Sequence, residues 1–164
     1  MISLISALDS NFLIGKGDKL PWHYREDLLF FKNKASNKNV LMGFKTYQSL
    51  KSYYKNKPLP FKKVYVASCS FISIPDVIGI LDLKKFLNKY KNNKEEIMVI
   101  GGSQIYRQSL DYVKVMYITH ILRRYQGDYF FPRFDSSKYF IKEKKIKPEL
   151  IFVTYIRKNR CEGF

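Results

Sequence analysis

Apolar residues fall along this chain in short runs, unbroken at residues 40–42 and 97–100 and interrupted only by Ser3 and Ser6 at residues 2–8. A strand covered on both faces needs such a run, because its side chains alternate between two buried sides. Further strands are predicted at 62–67, 77–81 and 113–121. Helices are predicted between them, at 25–34, 45–50, 83–90 and 103–110. The third is apolar at Leu83, Phe86, Leu87 and Tyr90, which is one helix face. Residues 139–145 and 150–157 read as a hairpin turning at Lys147-Pro148-Glu149. Strands alternating with helices predict one α/β domain over residues 1–164. Its centre is a mainly parallel eight-stranded sheet with an antiparallel C-terminal edge strand, flanked by about four helices.

The run Ile97-Met98-Val99-Ile100 leads into Gly101-Gly102 and then into a helix. Paired glycines let the backbone turn sharply and approach a ligand closely. The N–H groups that open the helix suit a phosphate, so the stretch points to a dinucleotide site. A plain corner is the alternative. The segment 9–24 is long and irregular, with Gly15, Gly17, Asp18 and Pro21. Loops of that length are uncommon and usually functional. Asp27 follows it near the start of a helix, where any carboxylate favours the dipole. It also shares a face with Phe31, four residues on, beside Leu28. An acid on an apolar face is costly unless something pairs with it. Leu20-Pro21-Trp22 could close over such a pocket. A buried carboxylate there can take a ligand with two adjacent N–H donors.

Composition narrows the picture. At 164 residues the chain is long enough for one substantial core, and 46% hydrophobic content is ordinary for a globular protein. The net charge of +16 comes mostly from lysines scattered along the whole sequence, so nucleic acid is not expected as the main partner. The charge would still steer anionic ligands. No apolar run approaches the roughly 20 residues of a membrane span, and residue 1 leads straight into a strand, so no membrane partner and a cytoplasmic location are expected. Cys69 and Cys161 read as free thiols, with Cys69 a small buried hydrophobe. His23 and His120 are too isolated for a metal site, and none is expected. Arg157, Lys158 and Arg160 read as a solvated end.

Taken in order, Ile2-Ser3-Leu4-Ile5-Ser6-Ala7-Leu8, Ile14-Gly15, Leu20-Pro21-Trp22, Asp27-Leu28-x-x-Phe31-Lys32, Met42-Gly43-x-x-Thr46-Tyr47-x-Ser49-Leu50, Pro58-Leu59-Pro60, Ile100-Gly101-Gly102, Tyr106, Tyr117-Ile118-Thr119-His120 and Gly127-Asp128 resemble the bacterial dihydrofolate reductases. The resemblance runs from Met1 to about Pro132. It implies NADPH-dependent reduction of 7,8-dihydrofolate to tetrahydrofolate, supplying one-carbon metabolism and thymidylate synthesis. It implies antifolate inhibitors as further ligands, and a monomer is expected.

By this resemblance Asp27, Trp22 and Thr119 form the catalytic group. Ile5, Ala7, Leu28, Phe31, Ser49, Leu50, Leu59, Lys62, Ile100 and Tyr106 bind substrate. Ala7, Ile14, Gly15, Leu20, Gly43, Lys45, Thr46, Ser68, Gly101, Gly102, Ser103, Gln104 and Ile105 bind NADPH, with Thr46 capping the second helix. Residues 38–106 form the adenosine-binding part. A related reductase of riboflavin synthesis and a non-catalytic basic protein on the same fold are the competing readings. Asp27 after Leu-Pro-Trp argues against the first, and the intact set of Asp27, Trp22 and Gly101-Gly102 argues against the second.

Three departures from the family pattern stand out, at the folate carboxylate, at the cofactor phosphate and in the link between the last two strands. Lys62 stands where an arginine usually forks onto the folate carboxylate. Phe44 and Gln104 replace arginines that face the cofactor, and Cys69 replaces a serine. Lys45 and Lys63 are candidates to compensate. The link between the last two strands is short, so an alternate position of the Trp-bearing loop is expected to be weakened or absent.

Overall fold

The computed structural model describes residues 1–159. Ten strands and four α-helices follow one another, with β1 at Ile2–Leu8, β2 at Leu13–Gly15, α1 at Arg25–Ala35, β3 at Asn39–Gly43 and α2 at Phe44–Tyr53. Next come β4 at Lys63–Ala67, β5 at Val77–Ile80, α3 at Leu83–Tyr90, β6 at Ile97–Gly101 and α4 at Ser103–Ser109. The last are β7 at Val113–Ile121, β8 at Tyr129–Phe130, β9 at Tyr139–Ile146 and β10 at Leu150–Arg157.

Eight of the strands form one sheet in the order β5-β4-β3-β6-β1-β7-β10-β9. The six strands from β5 to β7 are parallel neighbours, and β10 runs antiparallel between β7 and β9. The last strand in sequence therefore lies inside the sheet, and β9 forms its edge.

The apolar runs are explained by two cores. On one face Leu4, Leu41, Tyr65, Val99 and Ile118 pack with Phe86 and Leu87 of α3 and Ile105 and Tyr106 of α4. On the other, Ile5, Val40, Met42, Val66, Met98 and Ile100 pack with Ala35 of α1 and Tyr47 of α2. Neighbours in one strand go to opposite cores, which is the period-two rule of a strand buried on both sides.

The long irregular segment holds a strand that the sequence does not reveal. β2 pairs antiparallel with β8, and strands of three and two residues carry no readable period. Cys69 is exposed rather than buried, because it lies two residues past the end of β4. Cys161 and Arg160 lie outside the described residues. Arg157 is no solvated end: it donates to Leu110 O at 3.0 Å and to the Tyr139 hydroxyl at 2.9 Å.

Candidate active site

Asp27 occupies the third position of α1, with Tyr24 at the N-cap. The helix starts there without a side-chain cap, so the acid in its first turn is the charge that meets the dipole. Burial pushes the Asp27 carboxyl above its ordinary value, and Thr119 partly offsets this. Thr119 stands on the same sheet face as Ile5, because β7 pairs with β1 in the register Ile5↔Tyr117 and Ala7↔Thr119. Its hydroxyl is buried close to Asp27 without a formed hydrogen bond. Trp22 packs with Ala7 and is 7% exposed. Its indole Nε1 is also buried without a partner among the described residues. A buried unpaired polar group costs about 1–3 kcal/mol, so the acid and the hydroxyl at this end of β7, and the indole N–H just before α1, call for polar partners.

An apolar wall continues from this end. Ile5 and Ile100 form part of one buried cluster, and Phe31, Leu50, Leu59 and Phe61 pack against it. Phe31 and Phe61 meet edge to face, with centroids 6.4 Å apart. Leu28 and Ser49 are half-buried on the facing helices α1 and α2. Lys62 follows Phe61 and is exposed, its backbone N–H fixed to Lys38 O at 3.0 Å. On the opposite face the Tyr106 hydroxyl donates to Ile5 O at 2.7 Å. Burial pushes that phenol far up, so it remains a neutral donor.

A second cradle opens at the carboxyl ends of β3 and β6, where an α/β sheet usually binds its ligands. The helices α2 and α4 start there at Gly43 and Gly102, neither with a side-chain cap. Their first N–H groups are therefore free for an anion. A Cβ on Gly43 would stand 3.2 Å from Ile105 Cγ1, and one on Gly102 would stand 3.3 Å from Thr46 Oγ1. Gly101 has φ +124°, which a larger residue rarely adopts. Glycine is thus required where the two helix starts converge, and this narrow, N–H-lined geometry fits a dinucleotide pyrophosphate.

The family model for dihydrofolate reductase matches residues 1–157. The chain belongs to the dihydrofolate reductase family. It is 42% identical over 138 residues to a dihydrofolate reductase of Buchnera aphidicola subsp. Schizaphis graminum, covering 84% of this chain and 83% of the relative. The dihydrofolate reductase of Bacillus subtilis is 35% identical over 171 residues, covering 99% and 98%. Among solved structures, the dihydrofolate reductase from Enterococcus faecalis complexed with NADP(H) and RAB-propyl superposes with a TM-score of 0.83. That match has 26% sequence identity and covers 97% of each chain.

Other residues expected from the resemblance to dihydrofolate reductases fall in different places. Ile14 and Ile105 pack against the core beside the glycine cradle, and Gly15 is buried in β2. Ser103 opens α4. Lys45 and Gln104 are exposed in the first turns of α2 and α4, and Leu20 is exposed in the loop between β2 and α1. Thr46 does not cap α2: Gly43 is the N-cap, and the Thr46 hydroxyl lies against Gly102 instead. Ser68 spends its hydroxyl locally, accepting from Ser70 N at 3.1 Å. Lys63 is ruled out as a compensating charge. It opens β4 and approaches Glu95 at 3.9 Å, about 13 Å of strand from the carboxyl end where Ala67 lies. Phe44 is half-exposed and stacks toward Tyr47, with centroids 6.4 Å apart.

Several supporting residues were not foreseen. Asp9 is 2% exposed and holds the Trp-bearing segment from below. One of its oxygens accepts from the N–H groups of Asn11 and Leu13, the other from Tyr125 N, all at 2.8–2.9 Å. An acid straight after a strand and before Ser-Asn is a turn signal that could have flagged it. Asp128 accepts from Gly17 N at 2.8 Å and so ties the same loop to the β7–β8 connection. Phe61 and Tyr125 carried no signal, since isolated aromatics in loops have no period.

Proposed function

We propose that the chain reduces 7,8-dihydrofolate to 5,6,7,8-tetrahydrofolate with NADPH, and that Asp27, Trp22 and Thr119 are its catalytic group. The supporting observations are the raised-pKa acid with an unpaired hydroxyl beside it, and an unpaired indole N–H five residues before that acid in sequence. A pterin offers a ring N–H and an exocyclic amine side by side. Asp27 accepts both in a bidentate, charge-assisted pair, with Thr119 beside it. The negative charge so placed favours protonation of the ring at N5 from water. Trp22 donates to an ordered water there and helps exclude bulk solvent.

NADPH, when bound, supplies the hydride delivered to the adjacent ring carbon. The protein's part is to hold the two rings face to face, which removes most of the entropic cost. Ile5, Ala7, Leu28, Phe31, Ser49, Leu50, Leu59 and Ile100 line the substrate side, Tyr106 supports it from behind through the Ile5 carbonyl, and Lys62 meets the folate carboxylate. Gly43, Thr46, Gly101, Gly102 and Ser103 hold the pyrophosphate. Ala7, Ile14, Gly15, Leu20 and Ile105 would flank the nicotinamide half, while Lys45, Ser68 and Gln104 would lie toward the adenosine. Residues 38–106 then form the adenosine-binding part, which the strands and helices from β3 to β6 build. Diaminopyrimidine antifolates fit the same acid, because they present the same paired donors.

The enzyme acts as a monomer in the cytoplasm under this reading. No helix among the described residues is long and apolar enough to cross a membrane. The test is loss of NADPH absorbance with dihydrofolate, with and without a diaminopyrimidine. Dihydrofolate-dependent oxidation that the inhibitor blocks is expected. Oxidation that ignores dihydrofolate would overturn the reading.

A further inference from the structure

Trp22 is supported from the side by Tyr125, with ring centroids 5.4 Å apart and planes at 58°. Tyr125 is itself fastened twice. Its backbone N–H donates to the buried carboxylate of Asp9 at 2.8 Å. Its phenol shares a hydrogen bond of 2.6 Å with the phenol of Tyr24. Tyr24 is the N-cap of α1, two residues after Trp22 and three before Asp27. One hydrogen bond therefore ties the short segment between the indole and the acid to the loop between β7 and β8. Burial and the shared bond push the Tyr24 phenol up to about 12, so Tyr24 keeps its proton across the physiological range. The mechanism above uses neither hydroxyl.

We propose that Tyr24 and Tyr125 are positioning residues for the reduction. Their hydrogen bond fixes the Tyr125 ring against the indole and holds Trp22 over the Ala7–Thr119 end of the cleft. The inference rests on the reading of Trp22 as the group that closes that end. Phenol to phenol is a short, directional link with little rotamer freedom, because each side chain has only two rotatable bonds before the ring ends. Without it, the Tyr125 ring would still be anchored at its backbone but free to swing. The indole would then lose its lateral support while the sheet behind it stayed in place. The bond bridges positions 101 residues apart, so the β7–β8 loop controls the placement of a residue near the start of the chain.

The chain contains a single tryptophan, so its emission reports Trp22 alone. Tyr125→Phe and Tyr24→Phe each remove one hydroxyl and keep the ring. Each is expected to shift Trp22 emission to the red and to increase its quenching by acrylamide. Each is expected to slow single-turnover hydride transfer about five-fold, the size of one ordinary hydrogen bond, with a smaller change in dihydrofolate KM. The double variant should be no slower than either single one, because both hydroxyls serve the same bond. Unchanged emission and quenching in both single variants would overturn the proposal, as would additive losses in the double variant. A lowered melting temperature with normal Trp22 signals would also overturn it, by reducing the pair to structural support. Failure of the underlying reading appears separately, as a parent enzyme without dihydrofolate-dependent NADPH oxidation.

Discussion

A carboxylate withdrawn from water destabilises the fold that holds it, and Asp27 is such a group. Its folded pKa lies above the ordinary 3.8, so between those two values the folded state binds more protons than the unfolded one. Unfolding free energy then falls as pH rises through that interval, and the full penalty stands at neutral pH. Asp27→Asn is therefore expected to raise the urea midpoint at neutral pH, an advantage that disappears below pH 3.8. The same variant should turn over roughly 10²–10³ times more slowly at neutral pH, since one preorganised charged contact is lost. A variant both slower and less stable at neutral pH would show that the acid serves the fold instead. Asp27 and Phe31 were legible in the sequence because helical spacing puts them on one face. Lys63 was misread because only strand register shows which end of β4 it occupies. Lys62 tests the substrate side: Lys62→Arg is expected to tighten dihydrofolate binding in a fluorescence titration, as a planar fork replaces a point charge. Equal or weaker binding would place the folate carboxylate elsewhere.

Elements meet at glycines in this fold, and the tightest meeting is at Gly127. A Cβ there would stand 2.5 Å from Gly15 O and 2.9 Å from Leu13 Cδ1. A backbone carbonyl cannot step aside as a side-chain tip can. Gly127→Ala is thus expected to force β2 from β8, with a loss of about 1–3 kcal/mol in urea unfolding. Exchange of the Gly17 amide, which Asp128 holds at 2.8 Å, should accelerate in the same variant. Unaltered exchange would mean that the Trp-bearing loop is independent of this ribbon. The central parallel strands were readable as apolar runs covered on both faces, and the four helices because each has turns enough to show a period. The β2–β8 ribbon was not, because its pairing joins residues far apart in sequence and too few to repeat. The glycine pair at Gly101-Gly102 was visible at once, but the partner helix start at Gly43 gains its meaning only from β3 lying beside β6.

Over the whole molecule, charge acts at two ranges. The net charge of +16 draws any polyanion, yet that attraction is screened within about 8–10 Å at ordinary salt. Phe44 and Gln104 supply no guanidinium at close range, and Lys63 is engaged elsewhere. The preference for NADPH over NADH is therefore expected to be narrow and to shrink as salt rises. Phe44→Arg should widen it about ten-fold in kcat/KM and make it less sensitive to salt, because a charge-assisted hydrogen bond forms at contact distance. Strong discrimination in the parent, unaffected by this variant, would identify another phosphate-binding group.

The position of β10 between β7 and β9 also has a bearing on birth at the ribosome. Synthesis proceeds from the N-terminus at about 5–20 residues per second, so β1 emerges long before β6 and β7, the strands that flank it. The edge of β7 in turn waits for the last strand to be made. A nascent chain halted before residue 150 would leave β7 as an unpaired outer strand, open to any neighbouring polypeptide. Synthesis of β10, rather than local propensity, is what seals this side of the sheet.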